Sequence, residues 1–177
     1  GNISKLTSIL SATAPSLAIK SYTSNLLWAV QGFQAKASGS TFYDKVFFNL
    51  KVDSSKKTPW VGSRYCFSTP IWIPIHESFV IQLDGSKISP DKKEKAVIVQ
   101  ETSDGKRKAL KSSWQGNNLT ANAQEVCTYG IQLDTKKPSI KLLNFHSKHH
   151  VFEGKSIETE IDDNLSGIAN YKGTIDG

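Results

Sequence analysis

Methionine is missing from this 177-residue chain, at position 1 as elsewhere. The N terminus is therefore expected to be processed or engineered, with Gly1 a tag remnant, and export cannot be read from a leader segment. No run approaches the ~20 apolar residues that a membrane helix needs, so the chain is not read as membrane-spanning. Arginine is scarce. Only Arg64 and Arg107 stand among the 22 basic residues, so guanidinium forks for phosphate are few. The formal net charge of +6 is uneven: +3 over residues 1–38, +4 over 39–133 and −1 over 134–177. Lysines on strands and turns also keep sheet edges soluble, and nucleic acid is not expected as a partner.

Cysteine is almost absent too. Cys66 and Cys127 stand 61 positions apart, which excludes a CxxC or zinc-knuckle spacing. They read either as one disulfide of an exported protein or as two buried thiols, the second favoured slightly because the sequence cannot supply their Cα separation. There is no G-x-S-x-G, no H-E-x-x-H and no Gly-rich phosphate loop, so no hydrolase or nucleotide site has specific support. Asp44, Asp84 and Asp104 lie near strand ends or in turns, where paired carboxylates could meet only in space. No cofactor and no catalytic residue is assigned.

What is present is aromatic and β-forming. Eight Phe, five Tyr and four Trp supply core bulk. Val46, Phe48, Leu50 and Val52 recur with a period of two, as do Phe79, Ile81 and Leu83, and Cys127, Tyr129, Ile131 and Leu133. Ala96–Glu101 is β-branched and nearly continuous, as a central strand would be. Arg64–Ser68 reads as a short strand and Leu26–Val30 as another. Asp104-Gly105 is the clearest hairpin signal and predicts a tight type I′ turn. Residues 112–118 read as a polar loop, and Leu6–Ala12 as a short helix or an extended arm. Residues 134–138, ending in Pro138, are the best boundary. Beyond it, strands are predicted at 139–145, 156–161 and 168–174. Three strands in so few residues do not close a sandwich of roughly 100 residues. Either the second module is cut short, or these strands complete the first.

His146, His149 and His150 form the one histidine cluster. Adjacent strand residues point to opposite faces, so a loop is preferred to a metal site. His76 reads as a loop residue. Asp162-Asp163-Asn164 offers hard oxygens but lacks the spacing of a calcium loop, and an Asx-type turn is preferred. Trp28, Trp60, Trp72 and Trp114 could stack on sugars. Trp60 and Trp114 lie beside turn-rich segments and are the candidate ligand-binding residues for a carbohydrate or peptidoglycan module; the competing reading is core packing.

Tyr43-Asp44-x-Val46-Phe47-Phe48, then Leu133-Asp134-Thr135-x-x-Pro138, then Ile161-Asp162-Asp163-Asn164-Leu165-Ser166-Gly167-Ile168-x-x-Tyr171-x-Gly173-x-Ile175-Asp176-Gly177 form a pattern. It resembles the C-terminal, non-catalytic β-sandwich region of exported lysostaphin/LytM-type zinc peptidoglycan endopeptidases. The resemblance covers the last part of the chain well and residues 40–134 more loosely. The catalytic H-x-x-x-D and H-x-H motifs of that family are not carried over: His150 and Lys148 stand where an Asp and a His would be needed after His146. The resemblance implies an accessory region. The resulting expectation is an all-β chain of antiparallel, immunoglobulin-like sandwich modules: an arm or strand over 1–38, a module over 39–133 and an incomplete module over 134–177. Its implied setting is the periplasm or cell envelope. Its implied partners are a catalytic domain of the same or another envelope protein and, in the competing reading, cell-wall glycan or peptide.

Overall fold

The computed structural model describes residues 18–19, 25–43, 47–55, 58–70, 72–143, 158–168 and 170–174. The chain divides into two compact units, Gly1–Leu133 and Asp134–Gly177. The protein is all-β, with antiparallel sheets packed face to face in the first unit.

Among the described residues, eleven strands build that unit: β1 (Ala18–Ile19), β2 (Leu26–Val30), β3 (Phe33–Ala37), β4 (Phe47–Asp53), β5 (Trp60–Ser68), β6 (Phe79–Asp84), β7 (Ala96–Glu101), β8 (Arg107–Leu110), β9 (Ser112–Gln115), β10 (Asn118–Ala123) and β11 (Thr128–Leu133). One sheet runs β1-β4-β5-β11-β7-β8 and the other β2-β3-β6-β10-β9. Strands such as β3, β4 and β6 turn alternate side chains inward. Phe48 and Leu50 point in from β4, Tyr65 and Phe67 from β5, Phe79, Ile81 and Leu83 from β6, Ile98 from β7, and Tyr129 and Ile131 from β11. Aromatic rings join the two sheets. Trp28 lies edge-on to Phe48 at 4.6 Å, and Phe33 stacks on Tyr65 at 5.1 Å. Of the core predicted from alternation, Leu133 is only partly buried and Val46 lies outside the described residues.

Several expectations change. β2 and β3 are paired through Trp28↔Ala35 and belong to the five-stranded sheet, so sandwich strands occur ahead of residue 39. The predicted strand Arg64–Ser68 begins earlier, at Trp60, because a register shift opposite β11 absorbs Gly62 at φ +80°. The polar loop 112–118 is instead a hairpin. Gln115 pairs with Asn118 across Gly116-Asn117, and Gly116 takes φ +64°. At Asp104-Gly105 the hairpin forms, but its turn is not the two-residue type I′. Gly105 N–H donates to Thr102 C=O (2.9 Å) and Thr102 N–H to Lys106 C=O (3.0 Å), leaving three residues in the loop. One glycine at positive φ after an ordinary turn matches the strand twist as well as two would. The thiols of Cys66 and Cys127 are free. Cys127 sits in the core, while Cys66 lies between inward-facing Tyr65 and Phe67 and so points to the opposite face.

The second unit contains β12 (Ser139–Leu142) and β13 (Thr159–Asp162), paired antiparallel. The strand predicted over 168–174 does not form among the described residues. Period-two patterning needs a neighbour to supply ladder bonds, and among the described residues none pairs with this segment. Residues 146, 149 and 150, the histidine cluster, and residues 6–12 lie outside the described residues.

Candidate functional site

The two tryptophans singled out for ligand stacking are not free platforms. Trp60 is 8% exposed. It pairs with Gln132 on the face of the six-stranded sheet turned away from the core, and its ring covers the bare backbone of Gly130. Arg64 and Arg107 lie over the indole at 5.8 and 5.1 Å from the ring centroid. Glu101 accepts from both guanidinium groups, at 3.4 Å from Arg64 Nη1 and 2.6 Å from Arg107 Nε. Asp53 Oδ2 accepts from Arg64 Nη2. Hydrogen bonds from the Ser55 hydroxyl and N–H, helped by Arg64, hold the Asp53 carboxyl well below the usual carboxylate range. The ring is thus roofed by paired cations, each ion pair partly exposed and individually weak. Beside it an open depression is lined by Lys51, Val52, Asp53, Ser54, Arg64, Cys66 and Thr128.

Trp114, on β9, is partly buried and packs against the core. Its Nε1–H donates to Lys93 C=O at 2.9 Å, Lys93 Nζ lies over its ring at 4.8 Å, and the ring leaves no room for a side chain at Gly85. Turn-rich sequence misled the exposure estimate at both positions. Trp60 sits where an outward face is roofed, and Trp114 anchors the short 3-10 helix Pro90–Lys95.

The exposed tryptophan is Trp72, at 86%. Ile73 and Ile75 pack against the core while Trp72, Pro74 and His76 are exposed, so this extended segment turns those three side chains outward together. An isolated antiparallel bridge, Phe42↔Ile75, brings residues 40–43 alongside, and His76 N–H donates to Thr41 C=O at 2.9 Å. Tyr43 Oη lies 2.7 Å from His76 Nδ1, with the two rings 5.0 Å apart. Next to them the Ser40 and Ser38 hydroxyls donate to Glu77 Oε2 at 2.6 and 3.0 Å. Those bonds lower the Glu77 carboxyl below its usual range, so it is ionised at neutral pH. Spacing alone gave no signal for this cluster. The Trp-x-Pro-x-His alternation was the available clue.

Turn chemistry accounts for the other singled-out acids. Asp84 Oδ1 accepts from Ser86 N–H at 2.8 Å, and Asp104 Oδ2 pairs with Lys106 Nζ at 2.8 Å. Asp163 Oδ2 accepts from Leu165 N–H and Gly167 N–H at 3.0 and 2.7 Å, an Asx-type turn with Gly167 at φ +80°. Ser166 donates to Asp134 Oδ2 from both its N–H (3.1 Å) and its hydroxyl, so the second unit is tied across 32 residues. Asp44 lies outside the described residues.

A family model described as a Zu5-like domain matches residues 19–134, more than half of the 177-residue chain. The chain belongs to the Zu5-like domain family. No curated protein and no solved structure matches it. The Zu5-like match starts at the second residue of β1, spans β2 and β3, and ends one residue past the first unit. It therefore covers the sandwich of the first unit and, beyond Asp134, leaves the second unit outside.

Proposed function

We propose that the chain is a non-catalytic accessory module of an exported cell-envelope protein, in which the Zu5-like sandwich is the rigid body and the second unit connects it to a peptidoglycan-hydrolase-like partner domain. The observation that carries this reading is the clasp within the second unit. Asp134, from the Leu133-Asp134-Thr135-x-x-Pro138 motif, accepts from Ser166 of the Asp162-Asp163-Asn164-Leu165-Ser166-Gly167 motif. Two of the three segments behind the resemblance to the non-catalytic region of lysostaphin/LytM-type endopeptidases thus meet in one local structure. A second support is the apolar surface of β12 and β13: Ile140 and Leu142 are 71% and 46% exposed, and Ile140 is the cross-strand partner of Ile161. Surfaces of that kind mark contacts with other domains.

Purified insoluble peptidoglycan tests it directly, by co-sedimentation of the intact chain at low and at high salt. An envelope accessory module is retained in both and releases no soluble wall fragments. Retention abolished by salt would reduce binding to the +6 charge, and release of cut cross-links would make the chain an enzyme.

A further inference from the structure

We infer that the Trp72–Pro74–His76 edge of the first unit, with Tyr43 and Glu77, is a binding site for a neutral glycan chain. Three observations carry this. The first is an aromatic surface left in water. Trp72 is 86% and Tyr43 57% exposed, more than any other described Phe, Tyr or Trp ring of the unit, among which Phe47 at 40% comes next. A large aromatic ring left bare in water offers a flat apolar platform on which a ligand can pack. The second is preorganisation. Tyr43 is oriented by its 2.7 Å contact with His76, and the segment carrying Trp72 is anchored by Ile73 and Ile75, half-buried against the core, and by the Phe42↔Ile75 bridge. Little ordering is left for binding to impose.

The third observation selects the ligand. Among the described residues of this edge Glu77, next to His76, supplies a carboxylate, and both serine hydroxyls converge on its Oε2. An ionised carboxylate accepts hydrogen bonds and repels anions, so phosphate-bearing and uronic polymers are disfavoured although the chain as a whole is basic. A sugar ring has a C–H face that lies on an indole or phenol. It also has hydroxyl and N-acetyl N–H donors at its rim for a carboxylate, the pairing of apolar platform and few polar groups that small-ligand sites use. The site is distinct from Trp60 and Trp114. Its chemistry stands alone, but its natural polymer, the wall glycan, rests on the envelope reading above.

The test is isothermal titration of the whole chain with the tetramer of N-acetylglucosamine, beside Trp72→Ala, Glu77→Gln and a proline-rich peptide as a second ligand. Trp72 is exposed, so its removal leaves the fold intact, and an unchanged melting curve checks this. The tetramer is expected to bind the parent chain. Trp72→Ala is expected to weaken binding at least about tenfold, equivalent to ~1.4 kcal/mol, and Glu77→Gln to weaken it less. No binding of the tetramer, equal binding by Trp72→Ala, or binding of the peptide alone would each overturn the proposal. Co-sedimentation separates the two readings. Tetramer binding that depends on Trp72 without retention on insoluble peptidoglycan defeats the envelope reading and keeps the glycan site. Retention unaffected by Trp72→Ala, with no tetramer binding, does the reverse.

Discussion

Trp60 fills the space above Gly130 and carries two guanidinium groups on its ring, so its removal exposes backbone and unseats both cations at once. Trp60→Ala is expected to cost about 3–5 kcal/mol of unfolding free energy, the range for a buried large-to-small change. Urea denaturation reads this, and a loss below about 1 kcal/mol would mean the indole contributes little as a roof. The buried acids predict a second behaviour. Desolvation pushes the Cys127 thiol up to about 12 from 9.0. Burial likewise drives the Tyr129 hydroxyl, which donates to Glu125 C=O, far above the ordinary tyrosine range, and raises Tyr65. A folded pKa above the unfolded one means that the unfolded chain loses its proton first. These groups therefore favour folding fully below pH ~9, and that contribution falls as pH rises from there toward 12. The urea midpoint should drop steadily above pH 9, and Cys127→Ala should flatten the first part of that drop. A midpoint independent of pH between 8 and 11 would contradict the assignment. The same burial predicts one fast and one slow thiol toward a disulfide reagent, Cys66 reacting in the folded chain and Cys127 only on unfolding.

At the scale of elements, β11 shows how a glycine can be required without any turn. Gly130 lies in mid-strand, and a Cβ built there would meet Trp60 Cε3 at 2.6 Å and Cζ3 at 2.9 Å. Gly130→Ala should cost about 1–3 kcal/mol, as overpacking does, and Trp60→Ala in the same chain should remove much of that penalty. Additive costs would show that the two positions do not press on each other. Elements were legible in sequence where alternation and core-facing bulk coincide, as in β4, β6, β7 and β11. They were missed where the inward residues are small or the outward ones polar. β10 buries Leu119, Ala121 and Ala123, and β9 turns only Trp114 and Ser112 toward the sandwich, so neither stands out from a loop. Gly116-Asn117 was a valid two-residue hairpin signal, masked by the surrounding polar residues. The exposure expected of Trp60 and Trp114 was misjudged for a related reason. Whether a tryptophan is bare depends on what lies across the sheet from it, and local turn content carries no record of the Arg64 and Arg107 roof or of the Lys93 carbonyl.

For the molecule as a whole, the two units differ in how much they bury. The first encloses a continuous core of Trp28, Phe33, Phe48, Phe67, Phe79 and Tyr129 between two sheets. In the second, β12 is exposed at every residue, and Ile140, Leu142 and Leu143 stand at 71%, 46% and 53% exposure. A two-stranded ladder is marginal in water by itself. What ties this one together among its described residues is the β12–β13 pairing, the Asp163 turn and the Asp134–Ser166 clasp. Amide exchange should therefore separate them. Amides of β7 and β11 open only with global unfolding, while those of β12 and β13 exchange through local opening at far lower free energy. Ser166→Ala removes the hydroxyl arm of an exposed clasp. It should cost less than about 1.5 kcal/mol, the upper end for one hydrogen bond. That loss should appear as faster exchange in β12 and β13 with β7 and β11 unchanged. Equal protection of the four strands, or a Ser166→Ala effect spread over all of them, would mean that the units unfold as one and that the second is no separately adjustable connector. Protection gained in β12 and β13 on adding a partner domain would identify what covers Ile140 and Leu142.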